Sequence, residues 1–179
     1  MCGRYELKLS DSRLSKQLKE RIRKNNLVFK QGEIFPDDDV LCIVPMKDKI
    51  DLKVKKWGIR SVSFQINARY ESLSRQYYRQ MIDKRCAIIC NGFYEWNSEK
   101  DKFFIHTDEE YVYLAGIYNE SDELLIITRQ ADDSFSKIHS RIPLLMNRME
   151  MLEYLKGSDE KISDKKLHIE RTEEKIALF

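Results

Sequence analysis

Apolar positions along the chain follow two rhythms. Leu14, Leu18 and Ile22 recur every four residues among Lys, Arg and Glu, which is the spacing of a buried stripe on an amphipathic helix. Ser10 and Asp11 stand just before it, where an N-cap is needed. The stretch YESLSRQYYRQMID, Tyr70 to Asp83, carries Leu73, Tyr77 and Met81 at the same interval and predicts a second helix, and NRMEMLEYLKG predicts a third, closed by Gly157. Elsewhere the period shortens to two, or the apolar run becomes continuous: VLCIVP, IDLKVKKWGI, CAIICNGFYEW, KFFIHT, YVYLAGIY, ELLIITRQ and KLHIER, separated by polar clusters. These read as strands. Because strands follow one another in runs instead of alternating with helices, the predicted class is α+β, built on a mainly antiparallel sheet or barrel flanked by helices.

Composition narrows the picture. A chain of 179 residues, 42% hydrophobic and 35% charged with 6 Gly and 3 Pro, fits one folded domain spanning 1–179 and excludes a collagenous or low-complexity chain. No apolar run approaches the length of a membrane span, and MCGRYELKLSDSRL lacks the hydrophobic stretch of a signal peptide, so a cytoplasmic location is expected. A net charge of +2 gives no argument for a nucleic-acid partner, so any basic footprint must be local. Cys42, Cys86 and Cys90 lie in apolar runs and read as core. The spacing of the last two, C-x3-C, is not that of a zinc knuckle or redox pair, so neither a metal nor a cofactor is expected.

Four places carry candidate chemistry. Cys2, once Met1 is removed, would present a thiol and a primary amine on adjacent carbons, a pair that condenses with an aldehyde to a Schiff base and then a five-membered thiazolidine. Asn67, in QINARYES, sits between a strand end and the predicted helix, suited either to hold a ligand or to cap that helix; Arg69 beside it suits a phosphate or a salt bridge to Glu71. Glu95, in NGFYEW, follows an aromatic strand, where a desolvated carboxyl would hold a proton and serve as an acid or base; the alternative is a solvent-facing strand glutamate. His139 and Arg141, in KIHSRIP, pair a proton-exchanging ring with a phosphate-binding fork. His106 and His168 fall in strand alternation and read as structural.

Taken in order, MCGRY, WG, NAR-x-E, GFYEW, LAGIY, ITRQA and IHSRIPLLM resemble the SRAP family, the SOS-response-associated peptidase-like proteins, through almost the whole chain. The resemblance implies a compact α+β domain around an antiparallel, barrel-like sheet. It also implies a sensor of abasic sites in single-stranded DNA, in which processed Cys2 forms a thiazolidine cross-link with the ring-opened sugar during the DNA-damage response. Carried over by motif, Asn67 would position the sugar and Cys2, Glu95 would shuttle protons, and His139 would assist proton transfer and reversal. Arg4, Arg69 and Arg141 would meet phosphates, and Trp57 and Thr128 would line the same DNA surface. A monomer with no metal and no membrane partner is expected. The chain departs from the family pattern in WGIRSVSFQIN, which is short and lacks the usual Pro and Trp, and in IHSRIP, where Ile replaces Met. Two other readings remain open: a thiol peptidase or autoprotease built on Cys2, His139 and Glu95, and a non-covalent single-strand DNA module.

Overall fold

The computed structural model describes residues 2–47, 49–158 and 162–173. Strands dominate. In chain order they are β1 (Tyr5–Leu7), β2 (Gly32–Ile34), β3 (Asp39–Met46), β4 (Lys49–Trp57), β5 (Ile59–Arg60), β6 (Phe64–Gln65), β7 (Asn67–Arg69), β8 (Arg85–Cys90) and β9 (Gly92–Trp96), followed by β10 (Lys102–His106), β11 (Val112–Tyr118), β12 (Glu123–Gln130), β13 (Arg141–Pro143), β14 (Leu145–Met146) and β15 (His168–Thr172). The helices are α1 (Arg13–Lys24) and α2 (Arg148–Leu155). Among the described residues, no helix is long and apolar enough to cross a membrane.

The larger sheet closes on itself. Antiparallel pairing runs from β4 through β3, β8 and β11 to β12, and a parallel pairing of β12 with β4 (Leu124 opposite Trp57) completes the ring. A closed ring has no free edge, and the near-continuous apolar runs of β3, β8, β11 and β12 bury both of their faces, whereas β4 alternates. Cys42, Cys86 and Cys90 lie within it at 0% exposure, as small core residues. Gly116 of β11 faces Ile88 and Cys86, and a Cβ there would come within 2.7 Å of the Ile88 side chain, which would have to move aside for it.

The smaller sheet, ordered β15–β10–β9–β1–β2, packs against this ring with one face in and one out. Tyr5, Leu7, Ile34, Phe93 and Ile105 fill the inner face, with Tyr5 tilted against the fully buried Trp57 at 5.4 Å. The outer face is a ladder of rings and cations. Arg4 lies between Phe35 and Trp96 (4.4 and 4.7 Å to the ring centroids), Lys102 lies over Tyr94, and Phe104, His106 and His168 stack in turn. Alternation places these residues together, because successive strand side chains point to opposite faces.

Two of the three predicted helices form. In α1 the capping side chain is Ser12, accepting from Ser15 N at 3.0 Å, in place of Ser10 or Asp11; α2 starts with a reciprocal Asn147–Glu150 capping box, and Gly157 follows it at φ 104°. The helix predicted over Tyr70–Asp83 is absent. That segment makes only two single 3-10 turns, Tyr70–Ser72 and Gln76–Tyr78, neither with a side-chain cap. Leu73 and Met81 still bury, but Tyr77 is 45% exposed, so the apolar spacing records anchoring points of an irregular strap and not a helical stripe.

Candidate active site

The N-terminal segment is drawn into the core. Cys2 has 0% exposure, although residues this near a chain end usually lie in solvent. What holds it is Asn67, the first residue of β7, whose Nδ2 donates to the Cys2 carbonyl at 2.8 Å. Asn67 is therefore neither a helix cap nor a surface residue. Parallel pairing of β7 with β12 (Asn67 opposite Ile126, Arg69 opposite Thr128) fixes it, and its Oδ1 is buried with no hydrogen-bond partner among the described residues.

Glu95 faces the same interior. Its neighbours Tyr94 and Trp96 point to the outer ladder, so alternation along β9 sends Glu95 inward beside Phe93, at 3% exposure. Burial pushes its carboxyl up to about 7. The Cys2 thiol is pushed well above its ordinary value, first by burial and then by the charge of Glu95, which places the two groups within electrostatic reach of each other. The thiol is thus held protonated beside a carboxyl poised to exchange a proton near neutrality.

His139 lies two residues before β13 and is tied to the same core. Its amide donates to Phe135 O, and Phe135, fully buried, packs on Phe93 with centroids 6.0 Å apart, two residues from Glu95. Burial lowers the imidazole below its ordinary value, so the ring is neutral at pH 7. Nδ1 lies 2.9 Å from Arg141 N and 3.1 Å from Arg141 O. An amide N–H only donates, so Nδ1 accepts, the carbonyl contact holds no proton, and the proton of the neutral ring is on Nε2.

The expected DNA-contacting residues divide. Trp57 and Thr128 are fully buried, with the Trp57 indole donating to Ile66 O at 3.0 Å, so neither lies on a surface; both pack the walls of the site. Arg141 is 14% exposed and is taken up by Glu71, which accepts from both terminal nitrogens at 2.8 and 3.0 Å, and by Thr128 O at 2.5 Å. Arg4 lies on the outer face, between two rings and 3.6 Å from Glu33. Arg69 is exposed, and Glu71 turns to Arg141 instead of to it. Met1, whose removal the Cys2 chemistry requires, lies outside the described residues. Among the described residues, no cluster of three or more His, Cys, Asp or Glu could hold a metal ion.

Residues 1–178 match the family model of the SOS response associated peptidase (SRAP). The abasic site processing protein YedK of Escherichia coli is 28% identical over 131 residues, covering 64% of this chain and 59% of its own length. A Saccharomyces cerevisiae abasic site processing protein is 34% identical over 91 residues, 45% of this chain and 25% of its own. The chain thus spans less than two thirds of either relative. YoqW of Bacillus subtilis, also named an abasic site processing protein, is 24% identical over 179 aligned residues, 87% of this chain and 80% of its own. A crystal structure of a Bordetella bronchiseptica protein shares the fold, with a TM-score of 0.73 at 16% identity over 96% of this chain and 100% of that one. By the match across nearly its whole length, the chain belongs to the SRAP family.

Proposed function

We propose that this protein processes abasic sites in single-stranded DNA and does so covalently, through Cys2 after removal of Met1. The observation that carries the reading is the complete burial of the second residue of the chain, held by Asn67 and set beside a carboxyl that titrates near 7. Packing needs explain a buried cysteine, but a buried carboxyl beside it costs desolvation that an apolar residue would avoid, which is the usual mark of a group kept for its chemistry.

The ring-opened abasic sugar is an aldehyde. The free amine of Cys2 attacks its carbon, and the carbonyl oxygen leaves as water, giving a Schiff base. The Cys2 sulfur then bonds to the same carbon while the thiol proton passes to nitrogen, so the closed thiazolidine equals protein plus DNA minus one water. Each stage moves a proton, and Glu95, half-protonated near pH 7, is the group suited to take and return it. Neutral His139 supplies an Nε2–H donor toward the sugar oxygen, a hydrogen-bonding role that leaves the proton shuttle to Glu95. The raised thiol weakens the peptidase alternative, which needs a thiolate at rest.

Intact mass after mixing the processed protein with abasic single-stranded DNA tests this. The expected product has the summed mass less one water, survives heating, and is abolished by Cys2→Ala. Peptide cleavage without an adduct would favour the peptidase, and binding without an adduct a non-covalent module; either would overturn the covalent reading.

A further inference from the structure

We infer that the cavity between α1 and the outer wall of the ring binds a small amphipathic monocarboxylate, with an apolar body of about six to eight carbons and one anionic head. This site is separate from the one built on Cys2 and does not depend on it.

Strand alternation builds its floor. Ile43 of β3 is opposite Leu52 of β4, and Ile89 of β8 is opposite Tyr113 of β11. Residues opposite one another share a face of the sheet. Their neighbours Cys42, Ile88 and Leu114 pair together on the other face, and so does Cys90, which lies within electrostatic reach of Cys2. Ile43, Leu52, Ile89 and Tyr113 therefore point out of the ring, away from the Cys2 side of its wall. Leu18 of α1 and Met151 of α2 face them across a cavity of about 140 Å³. An apolar cavity of about 150 Å³ accepts a benzene-sized molecule.

Two observations mark the cavity as a site. The first is the seat of α1, whose apolar stripe of Leu14, Leu18 and Ile22 should press onto the ring as surface helices do. Ser15 alone among the α1 residues is buried, and Leu14 is 39% exposed. Polar ties at both ends hold the helix there: Ser12 and Ser15 donate to the Glu110 carboxylate at 2.8 Å, and Arg21 donates to Ile50 O at 3.2 Å. Pinned in this way, α1 spans the apolar floor without closing on it. The second is the Tyr113 hydroxyl. Tyr113 is 7% exposed, yet its hydroxyl has no hydrogen-bond partner among the described residues, where a buried phenol normally finds one.

Charge selects the occupant. Arg21 and Arg148 are the charged groups of the lining, and no carboxylate of the described residues belongs to it. Arg21 is engaged by Ile50 O and lies 4.0 Å from Asp51. Arg148 is exposed, makes no ion pair among the described residues, and is the foremost charge acting on the Tyr113 hydroxyl, ahead of Glu109. A hydroxyl donor beside a guanidinium, at the rim of an apolar floor, suits a single carboxylate on an aliphatic chain. A dianion would bring a second charge that this apolar pocket leaves unmatched.

Octanoate is the probe, followed by NMR on the full chain labelled at its methyl groups. Saturable shifts should appear at Leu18, Ile89 and Met151 with one ligand per chain and a Kd on the order of 0.1 to 1 mM, the range open to a ligand of this size. Arg148→Ala and Tyr113→Phe should each weaken binding by roughly fivefold. Arg148 is exposed and Tyr113→Phe keeps the ring, so both variants should fold, which their unliganded spectra check. Octan-1-ol, which keeps the body and drops the charge, should bind roughly tenfold more weakly. Shifts that stay linear well above that concentration overturn the proposal, as does an affinity unchanged in both variants or octanol binding as tightly as octanoate. A short peptide ending in leucine that bound more tightly than octanoate would give the pocket to a protein chain end, and that outcome overturns it too.

Discussion

Glu95 and Glu71 are the same residue type, and their surroundings send them in opposite directions. At Glu95 burial dominates and lifts the carboxyl to about 7, while at Glu71, half open to solvent, the Arg141 guanidinium dominates and holds the carboxyl below its ordinary value. Glu95 can therefore change charge during a reaction near neutral pH, and Glu71 cannot. Placement explains the split. Glu95 sits on the inward face near the end of β9, and Glu71 sits in the turn after β7, where a bidentate cation reaches it. A proton-exchanging carboxyl and a scaffolding carboxyl are told apart by what surrounds each, not by residue type.

The largest effect should come from breaking the Glu95 side of this contrast. Glu95→Gln keeps the shape but cannot carry a proton away, and cross-linking should slow by roughly 10²- to 10³-fold and lose the inflection that the wild-type rate shows near pH 7. Stability should move the other way. The folded value of Glu95 lies above its ordinary 4.5, so the folded chain holds a proton that the unfolded chain has released between about pH 4.5 and 7. Wild-type stability therefore falls as pH rises through that window and levels off above it. The shift corresponds to about 3 kcal/mol, which Glu95→Gln should recover above pH 7 in denaturant titrations at pH 5 and pH 8. A Gln variant with the wild-type pH dependence of both rate and stability would remove Glu95 from the mechanism.

The Glu71 side should give a smaller effect of opposite sign. Its folded value is lowered, so its contribution is present above the ordinary 4.5 and is lost as pH falls through the lowered value. Glu71→Gln should cost about 1 kcal/mol at pH 7, where the pair to Arg141 is intact, and progressively less in acid. Urea unfolding at pH 7 and pH 3 reads the difference; an equal cost at both would mean that the charge of Glu71 is idle.

The strands of the ring, the burial of Cys42, Cys86 and Cys90, and α2 with its Gly157 end were legible in the sequence, because period and punctuation are local signals. Cys2, Asn67, Glu95 and His139 were grouped as a candidate site only by resemblance, since each has an ordinary structural reading when taken alone. What the sequence withheld was pairing across the fold. Glu71 stands two residues from Arg69 in sequence but pairs with Arg141, because β7 and β13 both flank β12, and no local pattern announces that. Trp57 and Thr128 misled for the same reason. Both are buried in the apolar interior, the Trp57 indole bonded to Ile66 O and the Thr128 hydroxyl set against Arg141. The strap at 70–83 misled differently: Leu73, Tyr77 and Met81 keep a helical interval, but the chain between them turns twice where a helix would run on.

The smallest effect concerns the arginines, and it sharpens the contrast between the site's mouth and the outer face of the small sheet. Arg4 and Arg69 carry the same charge and were read as phosphate contacts alike. Arg69 is exposed at the end of β7 beside the residue that holds Cys2, whereas Arg4 is spent on Phe35, Trp96 and Glu33. Each phosphate neutralised on a single strand contributes roughly 0.7 to the log-log dependence of affinity on salt. Arg69→Ala should flatten that dependence by about this amount, measured by fluorescence anisotropy from low to moderate salt. Arg4→Ala should leave the slope alone and instead cost about 1 kcal/mol of stability, the value of an exposed cation held over aromatic rings. Were Arg4→Ala to flatten the slope and Arg69→Ala to leave it unchanged, the strand would run over the outer ladder, and the basic footprint would have to be moved from the mouth of the Cys2 site to the other face of the sheet.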